Sequence, residues 1–92
     1  MSRIYELLVK EELMNILVYI QRNPKTTTTK LYRNVKVSYA YSFNMLKRLR
    51  EEEIVQREKI NKHNSFHLTD KGKRIVDKLI ELKNEFAGVV TK

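Results

Sequence analysis

The sequence predicts a mainly α-helical domain carrying one small β-hairpin, in the order helix, helix, helix, strand, strand, helix. Three observations predict it. Apolar residues recur at helical spacing over 3–21, 42–49 and 75–89. Between the last two of these segments Phe66 and Leu68 alternate, the period of a half-buried strand. Only two glycines and one proline punctuate the chain, and 33% charged residues beside 41% hydrophobic ones suit a helical domain.

The first helix is expected within 1–22. Ile4, Leu7, Leu8, Leu13, Met14, Ile16, Leu17, Val18 and Ile20 fit a long helix from Arg3 to Gln21, apolar over a wide arc. The segment Tyr5-Glu6-Leu7-Leu8-Val9 fits a short strand equally well, which leaves the start open. Asn23-Pro24 ends the helix, because the residue before a proline disfavours helical angles. Thr26 to Thr29 form a poor helix interior but supply N-caps. Thr27 is a candidate cap for a short helix from about Thr28 to Asn34, with Leu31 and Val35 inward. Ser38 then caps a third helix running to about Glu52, whose inner stripe is Ser42, Met45, Leu46 and Leu49. Residues 27–52 thus read as a helix-turn-helix. The hairpin occupies 54–69, with strands over Ile54 to Lys59 and Ser65 to Thr69. Its polar tip is expected to be Ile60-Asn61-Lys62-His63-Asn64, the asparagines supplying positive φ. Thr69 caps the last helix, placed in 70–90 and regular to about Phe86. Asp70 sits in its first turn, where the helix dipole favours negative charge.

Ninety-two residues make one domain with one modest core. The absence of cysteine removes disulfides and thiolate zinc sites. No apolar run reaches the roughly 18 residues of a membrane span. Glu6, Lys10, Glu11 and Glu12 interrupt any secretory pattern, so a cytoplasmic location is expected. The net charge of +8 is local. From Leu13 to Arg50 there is no Asp or Glu, yet eight of the 19 basic residues lie there: Arg22, Lys25, Lys30, Arg33, Lys36, Lys47, Arg48 and Arg50. The other 54 residues carry eleven charges of each sign. Charge confined in this way implies a basic face, and the usual partner of such a face is a phosphate backbone. A solvated surface without a ligand is the alternative.

Leu31-Tyr32-Arg33-Asn34-Val35-Lys36-Val37-Ser38 looks like the second-helix-to-turn segment of the winged helix-turn-helix superfamily. Met45-Leu46-Lys47-Arg48-Leu49-Arg50-Glu51-Glu52-Glu53-Ile54-Val55 is similar to that superfamily's reading helix entering the first wing strand. Phe66-His67-Leu68-Thr69-Asp70-Lys71-Gly72 is similar to its leucine-threonine-x-x-glycine entry to the C-terminal helix. The chain therefore resembles small MarR-, ArsR- and PadR-like regulators over about Thr26 to Gly72, with flanking helices that fit by pattern. The superfamily usually carries glycine at the Lys36 and Glu53 positions, where φ is often positive. Lys36 and Glu53 imply either different turns or modest strain. The Ile/Lys/Asn-rich, cysteine-free composition is also similar to small winged-helix proteins of archaeal plasmids and viruses.

The third helix is the candidate reader. With Ser42, Leu46 and Leu49 inward, Ala40, Tyr41, Asn44, Lys47 and Arg48 are expected outward, with Tyr39 and Phe43 on the flanks. A helix of this size fits the major groove. Asn44 suits a bidentate contact with adenine, and Arg48 one with guanine or phosphate. Tyr39 and Tyr41 suit a thymine methyl or a phosphate; packing between helices is the alternative for all three aromatics. Thr27, Thr28 and Ser38 at helix N-termini, with Lys30, Arg33 and Lys36, complete the expected contacts. The resemblance implies a wing that lies on the backbone or in the minor groove, which brings in Arg57, Lys59, Lys62 and His63. An exposed hairpin that touches nothing is the alternative.

Other chemistries find little support. His63 and His67 fall on a hairpin, where their spacing is not a ligand signature, and no metal site is expected. No cofactor is implied. Glu51-Glu52-Glu53 reads as a solvated run, and no nucleophile motif or phosphate loop is present, so no enzyme is expected. Ile75, Leu79, Leu82, Phe86 and Val89 are spaced 4, 3, 4, 3, a heptad seam. With Ile4, Leu7 and Leu8, it is expected to form a dimer interface. The resulting expectation is a homodimeric, sequence-specific regulator of double-stranded DNA, with no evident small-molecule effector. A weakly specific architectural protein of the same fold and a protein-interaction module with a basic face are the alternatives.

Overall fold

The computed structural model describes the backbone of residues 10–90 and the side chains of residues 10–85. Among these residues there are four helices and one antiparallel hairpin: α1 (Glu11–Arg22), α2 (Thr28–Val35), α3 (Tyr39–Glu51), β1 (Val55–Ile60), β2 (His63–Leu68) and α4 (Asp70–Val90).

A single helix over 3–21 does not form. Lys10 has extended angles (φ −79°, ψ 139°), and its side chain makes no capping bond. Helix α1 begins at Glu11, where Glu11 and Glu12 place negative charge against the positive end of the helix dipole. The choice between helix and strand for 5–9 lies outside the described residues, as do Ile4, Leu7 and Leu8. The other end is as expected: Asn23 leaves helical geometry before Pro24, and its side-chain amide donates to the Tyr19 carbonyl at 2.9 Å.

Three hydroxyls set the other helix starts. Thr27 Oγ1 accepts from the Lys30 amide at 3.2 Å and Ser38 Oγ from the Tyr41 amide at 3.0 Å. Thr69 Oγ1 accepts from the Gly72 amide at 2.9 Å and donates to the Glu53 carbonyl at 2.6 Å. Each cap satisfies an amide that the helix itself leaves open. Lys36 closes α2 in the left-handed region (φ 62°, ψ 43°), and Glu53 follows α3 at φ 60°. The backbone keeps the glycine conformation at both positions without a glycine, so the strain alternative holds and different turns do not occur.

The hairpin tip is tighter than expected. Only Asn61 and Lys62 form the turn, with φ of 49° and 70°. Ile60 pairs with His63 and Lys59 with Asn64 inside the ladder. Two-residue hairpins need positive φ at both central positions, and here Lys62, not Asn64, takes the second. An isolated bridge ties the loop before α2 to the hairpin: the Phe66 amide donates to the Thr26 carbonyl at 2.8 Å, and the Lys25 amide to the Phe66 carbonyl at 3.1 Å.

The core lies where α1 crosses the other elements. Leu13, Ile16, Leu17 and Ile20 of α1 meet Leu31 of α2 and Leu46 and Leu49 of α3. Ile54, Val55, Phe66 and Leu68 close it from the hairpin and Val76 from α4. Fully burying each such side chain is worth about 1.5–3 kcal/mol. Phe66 and Leu68 share one face, as their alternation implies. No helix among the described residues is long and apolar enough to cross a membrane.

Candidate nucleic-acid interface

Helix α3 turns Ser42, Leu46 and Leu49 into the core, and this sets its outer face. Ala40, Asn44 and Lys47 are exposed. Tyr41 is not outward: it is half-buried and packs against the core. Burial, and secondly the Glu12 carboxylate of α1, push its phenol above the ordinary value of 10.0. Its position one residue before Ser42 rotates it toward α1. Arg48, expected outward, is also half-buried. Phe43 stands on the open side of the helix instead, 53% exposed, next to Tyr39 at 51%. Packing between helices therefore describes Tyr41 and, through Tyr32 of α2, one side of the half-exposed Tyr39, but not Phe43. The rings of Tyr39 and Phe43 lie nearly parallel (16°, centroids 6.4 Å apart), and Tyr32 of α2 makes a T-shaped pair with Tyr39, centroids 5.4 Å apart.

The eight basic residues of the acid-free stretch do not form a single patch. Lys25, Lys30 and Arg33 line a groove of about 600 Å³ between α2 and the hairpin, with Thr27, Thr29, Ile60, Asn61, His63 and Ser65. The bridge between Thr26 and β2 builds this groove by bringing the start of α2 against the wing. Arg22 and Lys36 line a second groove of about 390 Å³ with Lys83 of α4 and Asn34. Lys47, Arg48 and Arg50 stay on α3. Sequence proximity hid this division, because successive elements turn their side chains to different sides. It also hid Lys25 and Thr29, which the long-range pairing with β2 places beside His63.

On the hairpin, directly paired residues share a face. Arg57 lies with Phe66, and Lys59 with Asn64, on the side that also carries the core contacts. His63 lies with Ile60 on the opposite side, facing α2, and Lys62 is at the tip. Arg57, Lys59, Lys62 and His63 are all exposed. Thr28 is half-buried in the first turn of α2. No three His, Asp or Glu side chains gather closely enough to hold a metal ion among the described residues.

The family model for the winged helix-turn-helix matches residues 10–86, the span of these helices and the hairpin. The chain belongs to that family. Three solved structures share this winged-helix fold. The transcriptional regulator SlyA is 22% identical over 96% of this chain and 64% of its own, with a TM-score of 0.82. AF1382 from Archaeoglobus fulgidus is 24% identical over 92% of this chain and 97% of its own, with a TM-score of 0.77. The transcriptional repressor CouR, bound to a 23-mer DNA duplex, is 18% identical over 83% of this chain and 57% of its own, with a TM-score of 0.74. At these identities the likeness is one of fold. No curated protein matches the winged-helix chain by sequence.

In the winged helix, α4 carries the candidate dimer seam. Val76 is buried in the core, while Ile75 and Leu79 pack against it and are half-buried. Leu82 is 49% exposed. Helix α4 is tied to α1 by a hydrogen bond from Gln21 Nε2 to Asp77 Oδ1 at 3.1 Å. The side chains of Phe86 and Val89 lie outside the described residues.

Proposed function

We propose that the chain is a double-stranded-DNA-binding transcriptional regulator that acts as a homodimer. One observation carries the reading. The outward face of α3 presents Ala40, Asn44 and Lys47 without an acidic residue until Glu51, and a separate groove between α2 and the hairpin is lined by Lys25, Lys30 and Arg33. Membership of the winged helix-turn-helix family, and a fold shared with SlyA and with a repressor bound to duplex DNA, support a DNA-binding regulator.

In this reading α3 enters the major groove, where Asn44 is placed for base edges. Lys30, Arg33, Lys47 and Lys62 neutralise phosphates, and the capped starts of α2 and α3 add backbone amides. Arg57 and Lys59 follow the flanking backbone from one side of the wing, with His63 on the other. No reaction is involved; occupancy of the site is the mechanism. The dimer forms along the seam of Ile75, Leu79 and Leu82, continued by Phe86 and Val89. A two-fold pair predicts half-sites about one helical turn apart.

Selection of bound fragments from random duplexes tests the function. A recurring pseudo-palindrome supports the specific regulator. Equal binding of selected and random duplex supports the weakly specific architectural alternative. No binding at low salt removes the DNA reading.

A further inference from the structure

Tyr39 and Phe43 present two large apolar rings to solvent within one turn of the same helix. Water around such rings is unfavourable, and an exposed apolar patch rimmed by polar residues marks a contact surface. These rings are also held in place. Tyr32 braces Tyr39 edge-on, and Tyr39 lies parallel to Phe43, so little side-chain freedom remains to be lost on contact. Their neighbours on the helix surface are Ala40, Asn44 and Lys47, the polar and cationic groups of the reading face.

A phenyl ring forms no hydrogen bond. Among the groups on the floor of the major groove, the apolar one is the C5 methyl of thymine. We infer that the braced Tyr39–Phe43 pair reads thymine methyl groups, so that each half-site carries thymine beside the base contacted by Asn44. Phe43 makes the methyl contact, and Tyr39 holds it in place while its hydroxyl is free to meet a phosphate. The inference rests on the DNA-binding reading and adds to it a base identity and a specificity-determining residue that hydrogen-bonding logic does not find.

The test uses the best duplex from the selection, resynthesised with uracil for thymine at one position at a time. Uracil keeps every hydrogen-bonding group and the pairing and removes only the methyl. Binding of the full chain should weaken about fourfold at one or two positions of each half-site, the worth of one buried methyl. Phe43→Ala should bind the thymine and uracil duplexes equally, and Phe43→Leu should keep part of the preference. Both variants should fold, because half of the Phe43 ring is already in solvent. Indifference of the wild type to uracil at every position, or a Phe43→Ala protein that still prefers thymine, overturns the inference and leaves the DNA-binding reading standing. Preference for the single strand over the duplex, lost in Phe43→Ala, overturns it in favour of base stacking. Failure to bind any duplex at low salt overturns both.

Discussion

Gly72 packs its backbone directly against Ile54. A β-carbon added to Gly72 would overlap the Ile54 carbonyl oxygen and stand 3.0 Å from its carbonyl carbon. That oxygen also accepts from the Thr69 amide at 3.0 Å, so the strand end and the helix start share one point. The joint fixes the angle at which α4 leaves the hairpin, and with it the position of the wing beside α3.

Gly72→Ala should therefore destabilise by about 3 kcal/mol, near the top of the range for overpacking, because backbone cannot rotate away as a side chain can. In a domain of this size that lowers Tm by roughly 15 °C. A thermal melt within a few degrees of the wild type would show that the joint relaxes freely.

Lys36 and Glu53 hold positive φ without a glycine. Left-handed angles disfavour a residue with a β-carbon by roughly 1 kcal/mol, partly offset by the greater unfolded-state freedom of glycine. Lys36→Gly and Glu53→Gly should each raise stability by about 0.5 kcal/mol, read as a shift of the urea midpoint. Destabilisation by either would mean that the lost side chain contributes more than the strain removes.

Ser42 is 0% exposed, and its Oγ has no hydrogen-bond partner. A buried hydroxyl without a partner is unfavourable, and alanine is the better helix former. Ser42→Ala should stabilise by about 1 kcal/mol in chemical denaturation. Loss of stability instead would point to an ordered water bound at that hydroxyl.

These sites also show which parts of the chain can be read from sequence. Thr27, Ser38 and Thr69 were legible as caps because capping is local: one oxygen meets an amide three residues on. The φ of Lys36 and Glu53 was legible only through the motif, since neither side chain favours that conformation. Lys62 carried no signal at all. It takes positive φ because the strand register leaves two residues for the turn. Tyr41 packs inward where the stripe of Ser42, Leu46 and Leu49 predicts it outward, because neighbouring positions on a helix differ by a fraction of a turn and the packing of α1 decides between them. The gathering of Lys25, Lys30 and Arg33 beside His63 depends on the bridge from Thr26 to Phe66, forty residues away in sequence.

Phosphate contacts should dominate the affinity for DNA. With about three to five per subunit, a plot of log affinity against log salt should have a slope of roughly −5 to −9 for a dimer. Asn44→Ala should lower preference for the selected site by about 1–3 kcal/mol while barely changing binding to random duplex. Lys62→Ala, at the exposed tip, should weaken both alike and flatten the salt slope by about one. An unchanged specificity ratio in Asn44→Ala would mean that Asn44 reads no base.

Leu82 tests the dimer. It is 49% exposed although it continues the line of Ile75 and Leu79, both of which pack partly against the core. Its neighbours Glu81, Lys83, Asn84 and Glu85 are exposed as well, so the described domain leaves about half of Leu82 uncovered. A second copy laid antiparallel along the seam would cover it, each buried Å² being worth about 25 cal/mol. Leu82→Glu would place a carboxylate in that contact from each subunit, and the two like charges near the axis would repel. The folded core should survive, because Leu46, Leu49, Phe66 and Val76 do not depend on this turn. The variant should sediment as a folded monomer and hold a two-half-site duplex far more weakly than the wild type does, while its affinity for a single half-site stays the same. Sedimentation equilibrium of the wild type comes first. A single 11.0 kDa species at tens of micromolar would remove the dimer, and the expected spacing of half-sites would go with it.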